Sequence, residues 1–354
     1  MLQRTPLAVA VLGLLLAGCG AEEPYTRVSA ALTDGVLLPA YTAWAEADRQ
    51  LADSAQAFCA GEQSLEQARA SYLSAHRSWS ALQPLQLGPL SENNLAWQVQ
   101  FWPDKKNLVA RQVEALLNSQ PQLTQAELDK GSVVVQGLTA YEYVLFDPNI
   151  DLGDSAVQQR YCSLLIAIGN HQQALSSDVL ARWKGEDGMQ ARLRSFPNDR
   201  YADAQEAVSD LLRTQVSAID GLKKKLGAPL GRQSKGVPQP YQAEAWRSGA
   251  SLAILAAAVD SAERLWQGAN QDGLRSLLNS EHSELATRID AAYADTRQRL
   301  GALDQPLGQL LADEAGRTAL NALYDSLNRL HRLQEGELAR ALGIQIGFNA
   351  HDGD

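Results

Sequence analysis

From Leu37 onward, apolar side chains recur at Leu37, Tyr41, Trp44, Leu51, Ala55 and Phe58, in alternating steps of four and three with polar Asp48 in the one gap. That is the stripe of a helix facing a core. Ser64-Leu65-Glu66-Gln67 reads as a capping box opening a second helix with Leu65, Tyr72, Trp79 and Leu82 inward, and the stretch Pro84 to Pro89 breaks it. The spacing predicts a short helix over Asn93 to Phe101 and another after Pro103. Thr124 to Glu127 is a second capping box, ahead of a helix expected to run to about Phe146, where Asp147-Pro148-Asn149 stops it. Further helices are predicted over Ser155–Trp183, Ala202–Leu226 and about 243–267, 281–303 and 307–342.

The chain therefore reads as all-α, and the composition agrees: Ala and Leu dominate, Val and Ile runs are few, and aromatics are 6%. Gly227 to Tyr241 holds three Pro and three Gly, the richest breaker segment in the chain. A boundary placed there gives two helical bundle-like domains, 19–227 and 228–354, preceded by a signal segment, 1–18. No repeat period suggests a solenoid.

With 31 basic and 41 acidic side chains the formal charge is -10, and Lys223-Lys224-Lys225 is the one basic cluster. That leaves no electrostatic footprint for a phosphate backbone, so nucleic acid is not an expected partner. Residues 7–17 form an apolar run behind Arg4, too short to span a bilayer and of signal-peptide length. The run ends Leu16-Ala17-Gly18-Cys19, which resembles a bacterial lipobox, where cleavage before the Cys leaves its thiol to carry a lipid. The expectation is a periplasm-facing protein attached to a membrane through Cys19, and Gly20 in place of Asp favours the outer membrane. Cys59 and Cys162 are then an even pair in an exported chain, expected to be bridged.

None of the five His residues belongs to an HExxH motif, and no Cys pair has zinc-finger spacing, so no metal centre is expected. His331 and Glu335 read as a solvent-exposed pair, and His76 and His171 as structural. The informative segment is Gly137 to Glu142. Val135, Thr139, Glu142 and Phe146 share one helical stripe and Val134, Leu138, Tyr141 and Leu145 the next, so Glu142 looks buried and should have a donor. Arg77, near Trp79, and Arg247, beside Trp246, are the expected donors, whether for a functional site or for a salt bridge that fixes packing. The tail from Gly347 to Asp354, with Phe and two Asp, is expected to dock near the other half of the protein.

The lipobox, the Arg77/Trp79 helix, Phe101-Trp102-Pro103-Asp104, Gly137 to Glu142, Glu244-Ala245-Trp246-Arg247-Ser248 and the terminal Gly347-Phe348-Asn349 with Asp352-Gly353-Asp354 together resemble the imelysin-like family, also classed as M75 peptidases. The resemblance implies two helical domains with a site where they meet, and an association with bacterial iron acquisition. It marks Gly137, Thr139, Glu142, Arg77, Trp79, Glu244, Trp246, Arg247, Ser248 and Asp352 as ligand-binding candidates. The family signature is GxHxxE, whose His and Glu were taken as metal ligands; here the His position holds Thr139, which has no imidazole nitrogen. The resulting expectation is a ligand- or partner-binding component of iron uptake, with iron, haem and a partner protein all open as the bound species. A metallopeptidase and a membrane-tethered interaction scaffold are the alternatives.

Overall fold

The computed structural model describes residues 23–92 and 94–347, so Cys19, the signal segment and Asp352 lie outside the described residues. Helix α1, Pro24–Leu32, runs through a π-helical stretch, Thr33–Leu37, straight into α2, Leu38–Cys59. The stripe from Leu37 to Phe58 is buried throughout, Asp48 included. Helix α3, Leu65–Leu82, opens on the expected capping box: the Ser64 hydroxyl accepts from Gln67 N–H and the Gln67 side chain accepts from Ser64 N–H at 2.9 Å. Short helices α4, Leu95–Val99, and α5, Leu108–Ser119, follow.

The helix expected from Thr124 to Phe146 is instead three: α6, Gln125–Leu128, α7, Val133–Gln136, and α8, Leu138–Phe146. Gly137, extended at φ -119° and ψ -169°, separates the last two. Helix α9, Ser155–Lys184, then crosses back along α2. At their closest approach a Cβ on Gly169 would lie 2.9 Å from the Ala52 Cα, so only glycine lets the two backbones come together there. Cys59 and Cys162 are bridged, joining the end of α2 to α9.

After α10, Met189–Arg192, helix α11, Ala204–Gly227, packs with α13, Ser283–Gly301, and α15, Glu314–Arg332, in a second set of helices. Their polar centre is tied together by side-chain hydrogen bonds: Gln215 donates to Tyr293 Oη at 2.7 Å and to Gln334 Oε1 at 2.9 Å, and Gln334 donates to Tyr293 Oη at 2.7 Å. The helix expected over 307–342 is divided into α14, Leu307–Leu310, α15, a π-helical stretch Leu333–Leu338, and α16, Ala339–Ala341. His331 corrects the exposed-pair expectation: it is buried, with Nδ1 3.6 Å from Glu335 and 3.5 Å from Lys223.

The helix expected from 243 begins only at α12, Ser251–Gln267. Ahead of it the chain turns sharply, with positive φ at Ala245 and Gly249, and this frees residues 243–250 to present side chains as a loop. Helix α12 packs on both α3 and α13, and one continuous apolar core runs from Val28 to Ile344. No strand occurs among the described residues, and none of their helices is long and apolar enough to cross a membrane.

Candidate functional site

Gly137 sets the geometry. A Cβ there would stand 2.3 Å from the Val99 carbonyl oxygen, so the missing side chain lets the end of α4 lie directly on the start of α8. Two residues on, the Thr139 hydroxyl donates to the Phe101 carbonyl at 2.9 Å. One further turn carries Glu142 inward, where it is 1% exposed.

The donors that meet Glu142 come from the loop before α12. Its Oε1 accepts from both the Ser248 N–H and the Ser248 hydroxyl, each at 2.8 Å. Burial raises the Glu142 carboxyl above its ordinary range, and the Ser248 N–H, the His76 ring and Arg247 oppose that shift only in part. Neither expected donor fills this role. Arg77 is exposed on another face of α3, where it lines a surface cleft of about 670 Å³ with Ala40, Ala257, Asp260 and Arg264. Arg247 lies close by but is spent elsewhere: Nε donates to Asp147 at 3.0 Å and Nη2 to Asn107 at 2.7 Å. Its guanidinium also sits 4.4 Å from the Trp246 ring centroid and 5.2 Å from that of Tyr143. Backbone amides carry no sequence signature, which is why Ser248 was not legible as the partner while an arginine was.

A second carboxylate stands beside the first. Glu244 accepts from Lys225 Nζ at 2.7 Å, and the same ammonium donates to Gln83 at 3.0 Å and lies 5.6 Å from the Trp102 ring centroid. Burial acts to raise the Glu244 carboxyl, but the Lys225 charge overrides it and holds the group at about 2. His76 Nε2 is 3.8 Å from the same Glu244 oxygen. Trp79, whose indole can only donate, gives its N–H to Gln100 Oε1 at 2.8 Å, which turns the Gln100 amide nitrogen toward His76 Nε2 at 3.0 Å. The other ring nitrogen of His76, Nδ1, is 2.8 Å from Tyr72 Oη.

The structure thus brings Gly137, Thr139, Glu142, Trp79, Glu244, Trp246, Arg247 and Ser248 to one polar seam between α3, α8 and the loop before α12. It adds Gln83, Gln100, Asn107, Asp147 and Lys225, which the sequence reading did not offer as site residues, and His76, which it read as structural. His76 was the recoverable one, since it shares the inward stripe of α3 with Tyr72 and Trp79. The others are ordinary polar residues whose partners lie far away in the chain. At the mouth of the seam, Tyr241 is 69% exposed and stacks edge-on against Trp246, and Trp97 is 44% exposed beside Phe101. The Arg77 cleft is lined by none of these seam residues.

Comparison with known proteins converges on one group. The imelysin model, peptidase family M75, matches residues 37–334. Iron-regulated protein A of Synechococcus elongatus is 23% identical over 353 residues, covering 93% of each chain. The crystal structure of an imelysin-like protein from Psychrobacter arcticum 273-4 superposes with a TM-score of 0.78 at 22% identity, covering 93% of this chain and 99% of that one. An iron-regulated protein A precursor from Parabacteroides distasonis gives a TM-score of 0.73 at 16% identity, covering 92% and 97%.

Proposed function

This chain belongs to the imelysin family, and we propose that within it the protein is a ligand- or partner-binding component of bacterial iron uptake rather than a peptidase. We place it on the periplasmic side of a membrane, held by a lipid on Cys19. The observation that carries the reading is the commitment of Glu142. Its Oε1 already takes two hydrogen bonds from Ser248, and Thr139, at the His position of GxHxxE, donates to a backbone carbonyl. A catalytic zinc site needs about three protein ligands and an open position. Releasing Glu142 for such a role would take the acceptor from the half-buried Ser248 N–H and one of the two acceptors within reach of its hydroxyl. As built, the pair latches α8 to the loop that carries Trp246 and Arg247, and so positions the aromatic mouth of the seam. The iron connection is supported by the names of the relatives, two of them called iron-regulated.

The test is Glu142→Ala in cells grown under iron limitation, with circular dichroism and partner copurification on the same protein. The variant should keep its helical signal and lose growth and partner or ligand capture, because the loop no longer has its anchor. Cys19→Ser should shift the protein out of the membrane fraction. A normally folded Glu142→Ala protein that supports full growth, or peptide hydrolysis by the unmodified protein that this substitution abolishes, would overturn the reading.

A further inference from the structure

Among the described residues only three large apolar side chains are exposed: Trp97, Tyr241 and, at 57%, Val237. Scattered singly they would be ordinary surface. They are instead confined to two segments, 94–107, which includes α4, and 229–250, and side-chain contacts tie these into one face. Trp97 packs on Phe101, and the indole of the neighbouring Trp102 donates to the Gln242 carbonyl at 3.1 Å, next to Tyr241. Tyr241 in turn stacks on Trp246, and Arg247 reaches back across to Asn107. Val237 stands on a turn held by its own backbone: its N–H donates to the Ser234 carbonyl at 3.0 Å, and the Gln239 N–H to the Pro229 carbonyl at 2.8 Å.

The charge of these segments runs against that of the chain. The whole carries -10, yet Asp104 and Glu244 are the only acids in the two segments, and both are engaged. Asp104 accepts from the backbone N–H groups of Leu108 and Val109 at the start of α5, and Glu244 is buried against Lys225. Lys105, Lys106 and Lys235 are exposed and make no ion pair among the described residues.

Trp, Tyr and an aliphatic side chain flanked by free lysines, with no free carboxylate between them, match a contact with an anionic bilayer. The aromatic rings settle there at headgroup level and lysines are drawn to the surface charge. A protein interface is the poorer match, because lysine is depleted in such interfaces. We propose that this face docks on an anionic lipid surface, with Trp97, Val237 and Tyr241 entering the headgroup region and Lys105, Lys106 and Lys235 held over the lipid phosphates. The contact is reversible. It orients the chain on a membrane and does not replace an anchor, so a protein without a lipid at residue 19 still washes off in salt. Docking by this face requires no iron and no other ligand, and it turns the mouth of the seam toward the bilayer.

The experiment is flotation of residues 19–354 with Cys19→Ser, so that no acyl chain contributes and every described residue is kept. The vesicles are phosphatidylethanolamine with phosphatidylglycerol, against phosphatidylcholine alone. The expected result is flotation with the anionic vesicles at low ionic strength, release in high salt, and none with phosphatidylcholine. Each lysine charge removed should weaken partitioning about fivefold, so Lys105→Gln/Lys106→Gln should lose on the order of twentyfold. Val237→Ser/Tyr241→Ser should weaken it as well, and since all four positions are exposed the helical signal should stay native. Phospholipid brominated near the headgroup end of its acyl chains should quench tryptophan emission, and Trp97→Phe should lose most of that quenching. Absence of flotation with the anionic vesicles, which needs no variant to fold, overturns the proposal. So does flotation equal on phosphatidylcholine or indifferent to all four substitutions. Failure to float, together with a crosslink to an envelope protein that the same substitutions abolish, would give the face to a protein partner and overturn the lipid assignment. No arm contains iron, so each result is independent of the Glu142→Ala growth test.

Discussion

Two buried carboxylates meet opposite fates inside this protein. Asp48 is fully buried in α2 and neither of its oxygens has a hydrogen-bond partner among the described residues. Burial pushes its carboxyl well up. Glu244 is as deep, but the Lys225 ammonium holds it at about 2. The signs of their pH effects therefore differ. For Asp48 the folded chain binds its proton more tightly than the unfolded one, so stability falls as pH rises from the ordinary carboxylate range, and the cost is complete above the raised value. For Glu244 the contribution is complete above its unfolded value of 4.5 and is lost as pH falls toward about 2. In thermal melts across pH, Asp48→Asn should stabilise the protein at about neutral pH and do little in acid. Glu244→Gln should destabilise at neutral pH and flatten the acid limb. A destabilised Asp48→Asn protein at neutral pH would show that the carboxylate is held by a partner.

At the scale of elements, the seam depends on places where a helix stops. Gly137 divides α7 from α8 and allows the Val99 carbonyl to approach to a distance that no Cβ tolerates. Gly137→Ala should therefore force α4 and α8 apart, costing about 1–3 kcal/mol by overpacking, and should weaken the Thr139 contact to Phe101 along with the orientation of Glu142. A denaturant midpoint unchanged from the parent would contradict the close approach. These stops were also the limit of what the sequence disclosed. Capping boxes at Ser64 and Thr124 and the stripes of α2 and α3 were readable because side-chain caps and helical periodicity are local. The apolar density around Gly137 masked a break, since Val133 to Phe146 stays hydrophobic on either side of it. The start of α12 was missed for a related reason: the turn at Ala245 and Gly249 is a backbone event within an Ala-rich stretch that has good helix propensity. Glu142 was legible as a buried acid in need of a donor, but its donor sits on the loop that this turn creates.

Over the whole molecule, the elements that carry the seam are drawn from distant parts of the chain, and what keeps them in register is long-range. Helix α3 holds His76 and Trp79, α8 holds Glu142, and both lie in the stretch between Cys59 and Cys162, whose bridge spans 103 residues. The crosslink fastens the ends of that stretch where α2 and α9 already touch through Gly169 and Ala52. Closing a loop of about 100 residues restricts the unfolded chain by roughly 4–5 kcal/mol in the loop-entropy model. Replacing both cysteines by serine removes that restriction without altering the α2–α9 packing. The Cys59→Ser/Cys162→Ser protein should keep its helical spectrum and lose about 2–5 kcal/mol of stability. Its urea transition should also be steeper, because an uncrosslinked denatured chain exposes more surface. If the loss were instead native-state distortion, the slope would stay constant and the iron-limited phenotype would worsen in step with stability. Titration of the oxidised native parent for thiols decides the premise: the bridge predicts that neither Cys59 nor Cys162 reacts.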